Sequence, residues 1–358
     1  MKLIKSLSLV FLVVIAIATT SCKNSQAESK TTPKLNLTKF VDPFIGTGGH
    51  GHTYPGATVP FGMLQVSPDN GISSWDWCSG YHYSDSIAIG FSHLHLSGTG
   101  IGDLADIRLM PINKKVDLAA EVKTREDVPY KSLYSHDQES ASPGYYSVQL
   151  KDFNIKAELT SSLRTGYHKY TFAKNDTQSV VIDLGFAINW DKTTASKISV
   201  IDNSTISGYR HSTGWAKNQK VFFVARFSKP IEKYELLNDG TYKSEVTSVE
   251  GEKAFAQLFF NSENNNELLV KVAVSSVSEA NALENLSKEE ISFETVKNEA
   301  AEIWNKNLTN ITIETDSEEL KTIFYTALYH TQVAPVTFSD VNNEFRKEND
   351  EIVKAENY

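Results

Sequence analysis

Four of the nine histidines fall in two close pairs, and these are the first residues that could do chemistry. His50 and His52 sit in Phe44-Ile45-Gly46-Thr47-Gly48-Gly49-His50-Gly51-His52-Thr53-Tyr54-Pro55-Gly56-Ala57. Two residues apart, they share a face of an extended segment and could act as a metal pair. A zinc-type site needs a third protein ligand, and no acidic residue stands near them in sequence. Hydrogen bonds to neighbouring backbone are the alternative. His93 and His95 repeat the spacing in Gly90-Phe91-Ser92-His93-Leu94-His95-Leu96-Ser97-Gly98-Thr99-Gly100. A strand face turned toward a polar cleft accounts for them with hydrogen bonds alone. Between the pairs runs Trp75-Asp76-Trp77-Cys78-Ser79-Gly80-Tyr81-His82-Tyr83. Indole and phenol rings cover the apolar faces of sugars while polar neighbours bond the hydroxyls. Trp75 or Trp77 is therefore a candidate ligand wall, with a hydrophobic corner as the alternative. Asp340, in Phe338-Ser339-Asp340-Val341, reads by composition as a turn or cap aspartate.

Other chemistries lack their residues. There is no Ser-His-Asp order with a nucleophile elbow, no His-Glu-x-x-His helix, and no phosphate loop. The 44 acidic residues are too widely spread for spacing to single out a carboxylate pair. Cys78 stands beside Trp77 and Tyr81, which favours a buried thiol over a reactive one.

Strands come first in the chain and helices last. Runs rich in β-formers recur at Tyr145–Leu150, Ile155–Thr160, Tyr167–Phe172, Ser179–Leu184, Lys197–Gly208, Lys220–Phe227, Ala254–Phe260 and Leu268–Val274. Turn residues separate them, which predicts an antiparallel sandwich or barrel. Helical periodicity begins at Ser278–Leu286. It continues through Glu294–Leu308, where Val296, Ala300, Ile303, Trp304 and Leu308 form one stripe. A further helix is expected from Asp316, with Glu319 as its capping-box partner and Leu320, Ile323, Phe324, Ala327 and Leu328 buried. Pro335 should end it.

The composition is 40% apolar and 11% aromatic, which excludes wholesale disorder. A net charge of −9 argues against a nucleic-acid surface. Lys2 and Lys5 precede an apolar run from Leu7 to Ala18, too short to span a bilayer. This is the pattern of a secretory signal over residues 1–21. Small residues before Cys22 resemble a bacterial lipoprotein cleavage site, so Cys22 is the expected lipid attachment point. Residues 22–38 then form a polar tether. The expected location is exported, as a periplasmic or cell-surface lipoprotein.

Seven strings, in order, resemble the N-terminal half of glycoside hydrolase family 92. They are Val41-Asp42-Pro43-Phe44-Ile45-Gly46-Thr47, Tyr54-Pro55-Gly56-Ala57 with Val59-Pro60-Phe61-Gly62, Cys78-Ser79-Gly80-Tyr81, and the Gly90 to Gly100 stretch. Gly214-Trp215-Ala216 with Gln219, Phe227-Ser228-Lys229-Pro230, and Leu328-Tyr329-His330-Thr331 with Phe338-Ser339-Asp340-Val341 follow. The resemblance implies a calcium-dependent, inverting exo-α-mannosidase acting on α-mannoside glycans. It implies a mainly β fold: an N-terminal antiparallel β-sandwich (39–277), then linker helices and the start of an (α/α)6 barrel (278–358). The family's acid, base and most calcium ligands lie in that barrel, and the chain stops as it begins. The expectation is a chain inactive alone that needs the missing helical domain, or else a non-catalytic carbohydrate-binding or partner-docking lipoprotein. By match, Asp340 becomes a hydroxyl-binding carboxylate and Trp75 or Trp77 the aromatic wall. Gly56 would permit close backbone approach, and His93 and His95 become cleft residues. No catalytic residue is assigned within the chain.

Overall fold

Residues 35–71, 73–263, 265–289 and 291–356 are described here from a computed structural model. The signal segment, Cys22 and the tether through Lys34 lie outside the described residues.

Among the described residues two large antiparallel sheets face each other. One runs, in spatial order, Ser67–Asp69, Gly90–Ser92, Arg108–Ile112, Gln178–Asp183, Ala254–Phe260, Ile231–Asn238 and Thr241–Lys243. The other runs Ser248–Gly251, Lys192–Val200, Thr205–Thr213, Gln219–Phe227, Glu267–Ser275, Thr165–Thr171, Ile155–Ser161, Tyr145–Leu150 and Glu139–Ser142. The sandwich expected from the sequence is therefore present. The run Lys197–Gly208 is not one strand but parts of two, since Ile201 N turns back to Thr205 O. Its turn, Asp202-Asn203-Ser204, carries an Asx-type bond from Ser204 N to Asp202 Oδ1 at 2.7 Å.

Side-chain alternation decides what each face buries. In Glu267–Ser275, Leu268, Val270, Val272 and Val274 enter the core between the sheets. Ala273 points the other way, against Val224, Ala282 and Leu286. The outer face is thus apolar where helices cover it. Two helices do so, α1 (Glu279–Lys288) and α2 (Phe293–Leu308), while α3 (Glu318–His330) packs on α2 and the Leu37–Val41 segment. Each starts on a serine whose hydroxyl accepts a backbone N–H: Ser278, Ser292 and Ser317. For α3 this replaces the cap expected at Asp316, and the helix stops at His330, ahead of Pro335. Its buried residues are Tyr325, Thr326 and Tyr329, whereas Leu320 and Ile323 are exposed. The face turns because its partners come from far away in sequence: Leu37 and Val41 pack with Trp304, Leu308, Tyr325 and Tyr329. Trp304 also donates its indole N–H to Thr58 O at 2.6 Å, tying α2 to the N-terminal loops.

Two buried polar ties hold layers together. The first crosses the sandwich. His93 Nδ1 lies 2.6 Å from Ile107 O, a group that only accepts, so Nδ1 carries the proton. His93 Nε2 then accepts from His168 Nε2 at 2.9 Å, and His168 Nδ1 accepts from the Tyr170 hydroxyl at 2.8 Å. An additional proton on His93 would set two N–H groups against each other, and one on His168 would remove the bond it accepts from Tyr170. Burial acts the same way: it pushes the His93 imidazole down to about 4, and holds His168 well below its ordinary value. The second tie is Asp340. Its Oδ2 accepts from Ser275 Oγ at 2.6 Å and Asn281 Nδ2 at 3.0 Å, and its Oδ1 from Asn285 Nδ2 at 2.7 Å. It joins a sheet strand, α1 and the loop after α3.

Both ties make measurable claims. Imidazoles kept neutral in the native state give stability above their unfolded value near 6.5, lost as pH falls toward 4. Urea unfolding should therefore lose about 2 kcal/mol between pH 7 and pH 5 from His93 alone. His93→Gln should flatten that dependence while lowering stability at pH 7. An unchanged pH slope in the variant would show that the ring is not held neutral. Asp340→Ala leaves three donors without their acceptor and should cost about 3 kcal/mol in the same assay. A loss within about 0.5 kcal/mol, typical of surface sites, would remove Asp340 from this role.

Candidate functional site

The segment from Phe44 to Asp106 holds little regular structure, yet three of its motifs fold against one another. The glycine-rich loop closes on itself through Thr53 N to Gly46 O at 3.2 Å. Trp75–Trp77 forms a single 3-10 turn, capped where Ser74 Oγ accepts Asp76 N. The loop after Ser92 then reaches both. Gly98 N donates to His52 O at 2.8 Å, the Trp75 indole N–H to Gly100 O at 2.8 Å, and Cys78 Sγ to Thr99 O at 3.3 Å. A Cβ on Gly100 would sit 2.1 Å from the Trp75 ring, so only glycine lets that loop lie against the indole. His330, at the end of α3, donates from Nε2 to Ile45 O at 3.0 Å and fixes the far side of the glycine loop.

The expected site residues fall into different positions. Trp75 is 50% exposed and presents an open indole beside the glycine loop. Trp77 is only partly exposed: its indole N–H donates to Asp85 Oδ2 at 2.7 Å, and its ring stacks on His82 at 4.2 Å. Arg125 lies over the same ring at 5.8 Å, so Trp77 packs the corner that supports Trp75. His93 and His95 do not face a cleft; both are buried. His93 belongs to the inter-sheet chain, and His95 donates from Nδ1 to Gln65 O at 2.8 Å with Nε2 beside Ser92 and Asp69. Their strand ends at Ser92, which breaks the alternation assumed for the pair. Gly56 does allow close backbone approach, but to this chain: a Cβ there would meet Ser67 Cβ and Val66 O, each at 2.4 Å. Asp340 is fully buried and has both oxygens engaged, so its place here is structural.

The structure adds what sequence spacing missed. Asp76 Oδ1 lies 2.7 Å from His50 Nδ1 and 2.9 Å from His52 Nε2, so the acidic partner of that histidine pair exists. The hydrogen bonds from His50 and His52 hold the Asp76 carboxyl below its ordinary value, and Asp76 raises the His50 imidazole. Two further exposed indoles, Trp190 and Trp215, stand along the same loop system. Asp103 accepts from Trp215 N at 3.0 Å and Ala216 N at 2.7 Å, while Gly102 packs on Asn189. Their signal was available: each indole sits in a turn-rich triplet, as Trp75 does. Cys78 is buried and its thiol is pushed up to about 11 by burial, which suits packing rather than nucleophilic attack.

The arrangement can bind a ligand with an apolar face and hydroxyl groups. Its His50, His52 and Asp76 cluster is not a calcium-type donor set. Calcium takes six to eight oxygen ligands. Among the described residues, the single group of three His, Cys, Asp or Glu with donor atoms within 4.8 Å of one another is His50, His52 and Asp76. That set is mostly nitrogen.

Comparison with known proteins agrees with the fold. The glycosyl hydrolase family 92 N-terminal domain matches residues 40–275, and the glycosyl hydrolase family 92 catalytic domain matches residues 281–358. The structure is similar to the family GH92 α-mannosidase BT3965 from Bacteroides thetaiotaomicron, with TM-score 0.85 and 36% identity. That match covers 90% of this chain and 44% of the other; the same enzyme has been solved in complex with mannoimidazole. The family GH92 inverting mannosidase BT2199 from the same species matches with TM-score 0.77 and 25% identity, covering 91% and 44%. An uncharacterized secreted glycosidase from Arthroderma benhamiae is 26% identical over 336 residues, 86% of this chain and 43% of that protein. The chain thus spans less than half the length of these relatives. From the motif order, the sandwich with its trailing helices and these matches together, the chain belongs to glycosyl hydrolase family 92.

Proposed function

We propose that this chain is the sugar-facing part of an exported α-mannosidase, and that the groups that cleave the bond come from the helical catalytic region only begun here. The observation that carries this reading is the half-exposed Trp75, held by three converging loops. An indole fixed through its N–H to Gly100 O leaves one ring face free for the apolar side of a pyranose. Inverting hydrolysis also needs a carboxylic acid at the leaving oxygen and a second carboxylate about 6.5–9.5 Å away to activate water. The described loops offer Asp76, whose Oδ1 is already shared by two imidazoles. On this reading the acid, the base and the calcium that would engage the sugar belong to that helical region. The mannoimidazole complex of the 36%-identical relative supports an α-mannoside ligand. The secreted fungal relative supports export, and Cys22 is the proposed site of lipid attachment.

A second reading, a module that docks a separately supplied helical domain, has one observation in its favour. Leu320 and Ile323 on α3 and Phe338 beyond it are each more than half exposed. On that reading they are covered by helices of the partner.

Titration with α-mannobiose, followed by calorimetry, tests the main reading. The wild-type chain should bind at millimolar concentration and release no mannose. Trp75→Ala should weaken binding about tenfold, equivalent to about 1.4 kcal/mol, with circular dichroism checking that the fold is retained. Unaltered binding in that variant would remove Trp75 from the sugar face. Mannose release abolished by a chelator would place the acid and base within this chain.

A further inference from the structure

His50, His52 and Asp76 bring three metal-type donor atoms within 4.8 Å of one another. Asp76 Oδ1 has room for two donors, and both come from imidazoles. They approach it with different atoms, Nδ1 from His50 and Nε2 from His52. His52 reaches it at a cost, because its backbone sits at φ 56°, a region that non-glycine residues seldom occupy. Its ring is buried and packs edge-on against Trp75 at 4.4 Å, so its direction is fixed. The His50 side chain is 80% exposed and Asp76 is 21% exposed, which leaves one side of the cluster open to solvent.

We propose that His50 Nδ1, His52 Nε2 and Asp76 Oδ1 form a binding site for a zinc-class divalent metal ion. Two imidazole nitrogens and one carboxylate oxygen are a donor set for zinc or its late first-row neighbours, and a poor one for calcium or magnesium. Three protein ligands leave a fourth tetrahedral position, facing solvent, for water. Bond lengths of about 2.0–2.1 Å separate tetrahedral ligand atoms by about 3.3 Å. The present separations of 2.7 and 2.9 Å need to open by roughly half an ångström, which the exposed His50 side chain can supply by rotation. Each imidazole presents a lone pair to the ion, so the ion replaces the two N–H bonds to Asp76. The bound ion would pin the glycine-rich loop to the Trp75–Trp77 turn and set the angle of the Trp75 indole. This site needs neither sugar nor the catalytic helices.

The test uses the full chain without a polyhistidine tag, and no sugar. Zinc chloride titrated by calorimetry should bind with one ion per chain, and calcium chloride should give no matching heat. Cobalt(II) should give the visible absorption of a four-coordinate site. His50→Ala changes a solvent-exposed side chain and leaves the fold intact; it should weaken zinc at least tenfold. Asp76→Asn should do the same, and circular dichroism checks that its fold is retained. Absence of saturable zinc binding would overturn the proposal, as would zinc affinity unchanged in both variants or calcium binding as tightly as zinc. Because mannobiose is left out, these results stand or fall separately from the sugar-binding reading.

Discussion

Buried backbone must find hydrogen-bond partners, and in this molecule that constraint falls hardest on the segment from Phe44 to Asp106. Much of it is buried, yet few of its residues belong to strands. Side chains fill the gap. Asn70 accepts from His82 N and donates to Ile87 O; Asp85 accepts from Ser86 N and Ile87 N. Asp103 accepts from the Trp215 and Ala216 amides. Below them Arg210, fully buried, donates to Asp106 Oδ1 at 2.6 Å, Phe186 O at 2.9 Å and Thr193 Oγ1 at 3.1 Å, and also pairs with Asp191. A buried guanidinium is tolerated only when its donors are met in this way. The same bonds that remove a desolvation penalty therefore fix the loops that carry Trp75, Trp190 and Trp215.

This division of labour separates two kinds of polar residue. Some are spent inside the scaffold: His93 with His168 between the sheets, and Asp340 beneath α1. Others stand at or just beneath the surface those ties support: His50, Asp76 and the half-exposed Trp75, with His52 buried behind them. A family-level motif match does not distinguish the two kinds, because both are short polar strings between glycines. Burial does. It moves Asp340 from the ligand surface into the joint between sandwich and helices.

Much of the fold was legible from local pattern. Runs of β-formers at Tyr145–Leu150 and Ala254–Phe260 located both strands, and the stripe through Val296, Ala300, Ile303, Trp304 and Leu308 located α2, although Ile303 is exposed. What escaped was set by distant partners. The face α3 buries depends on Leu37 and Val41, far upstream of it. Asp76 meets His50 across 26 residues, through loop folding that no periodicity encodes. The buried thiol of Cys78 was readable from its bulky neighbours. The two extra exposed indoles were present in the sequence but not in any paired arrangement.

Amide hydrogen exchange on the free chain tests most directly whether side chains lock these loops into a prebuilt ligand face. The account predicts that the amides of His82, Gly98, Trp215 and Ala216, which bond to Asn70 Oδ1, His52 O and Asp103, are as protected as strand amides such as Val181. Exchange of those four amides at the rate of open turns such as Gly240 would contradict it, and would mean that the face forms only when something binds.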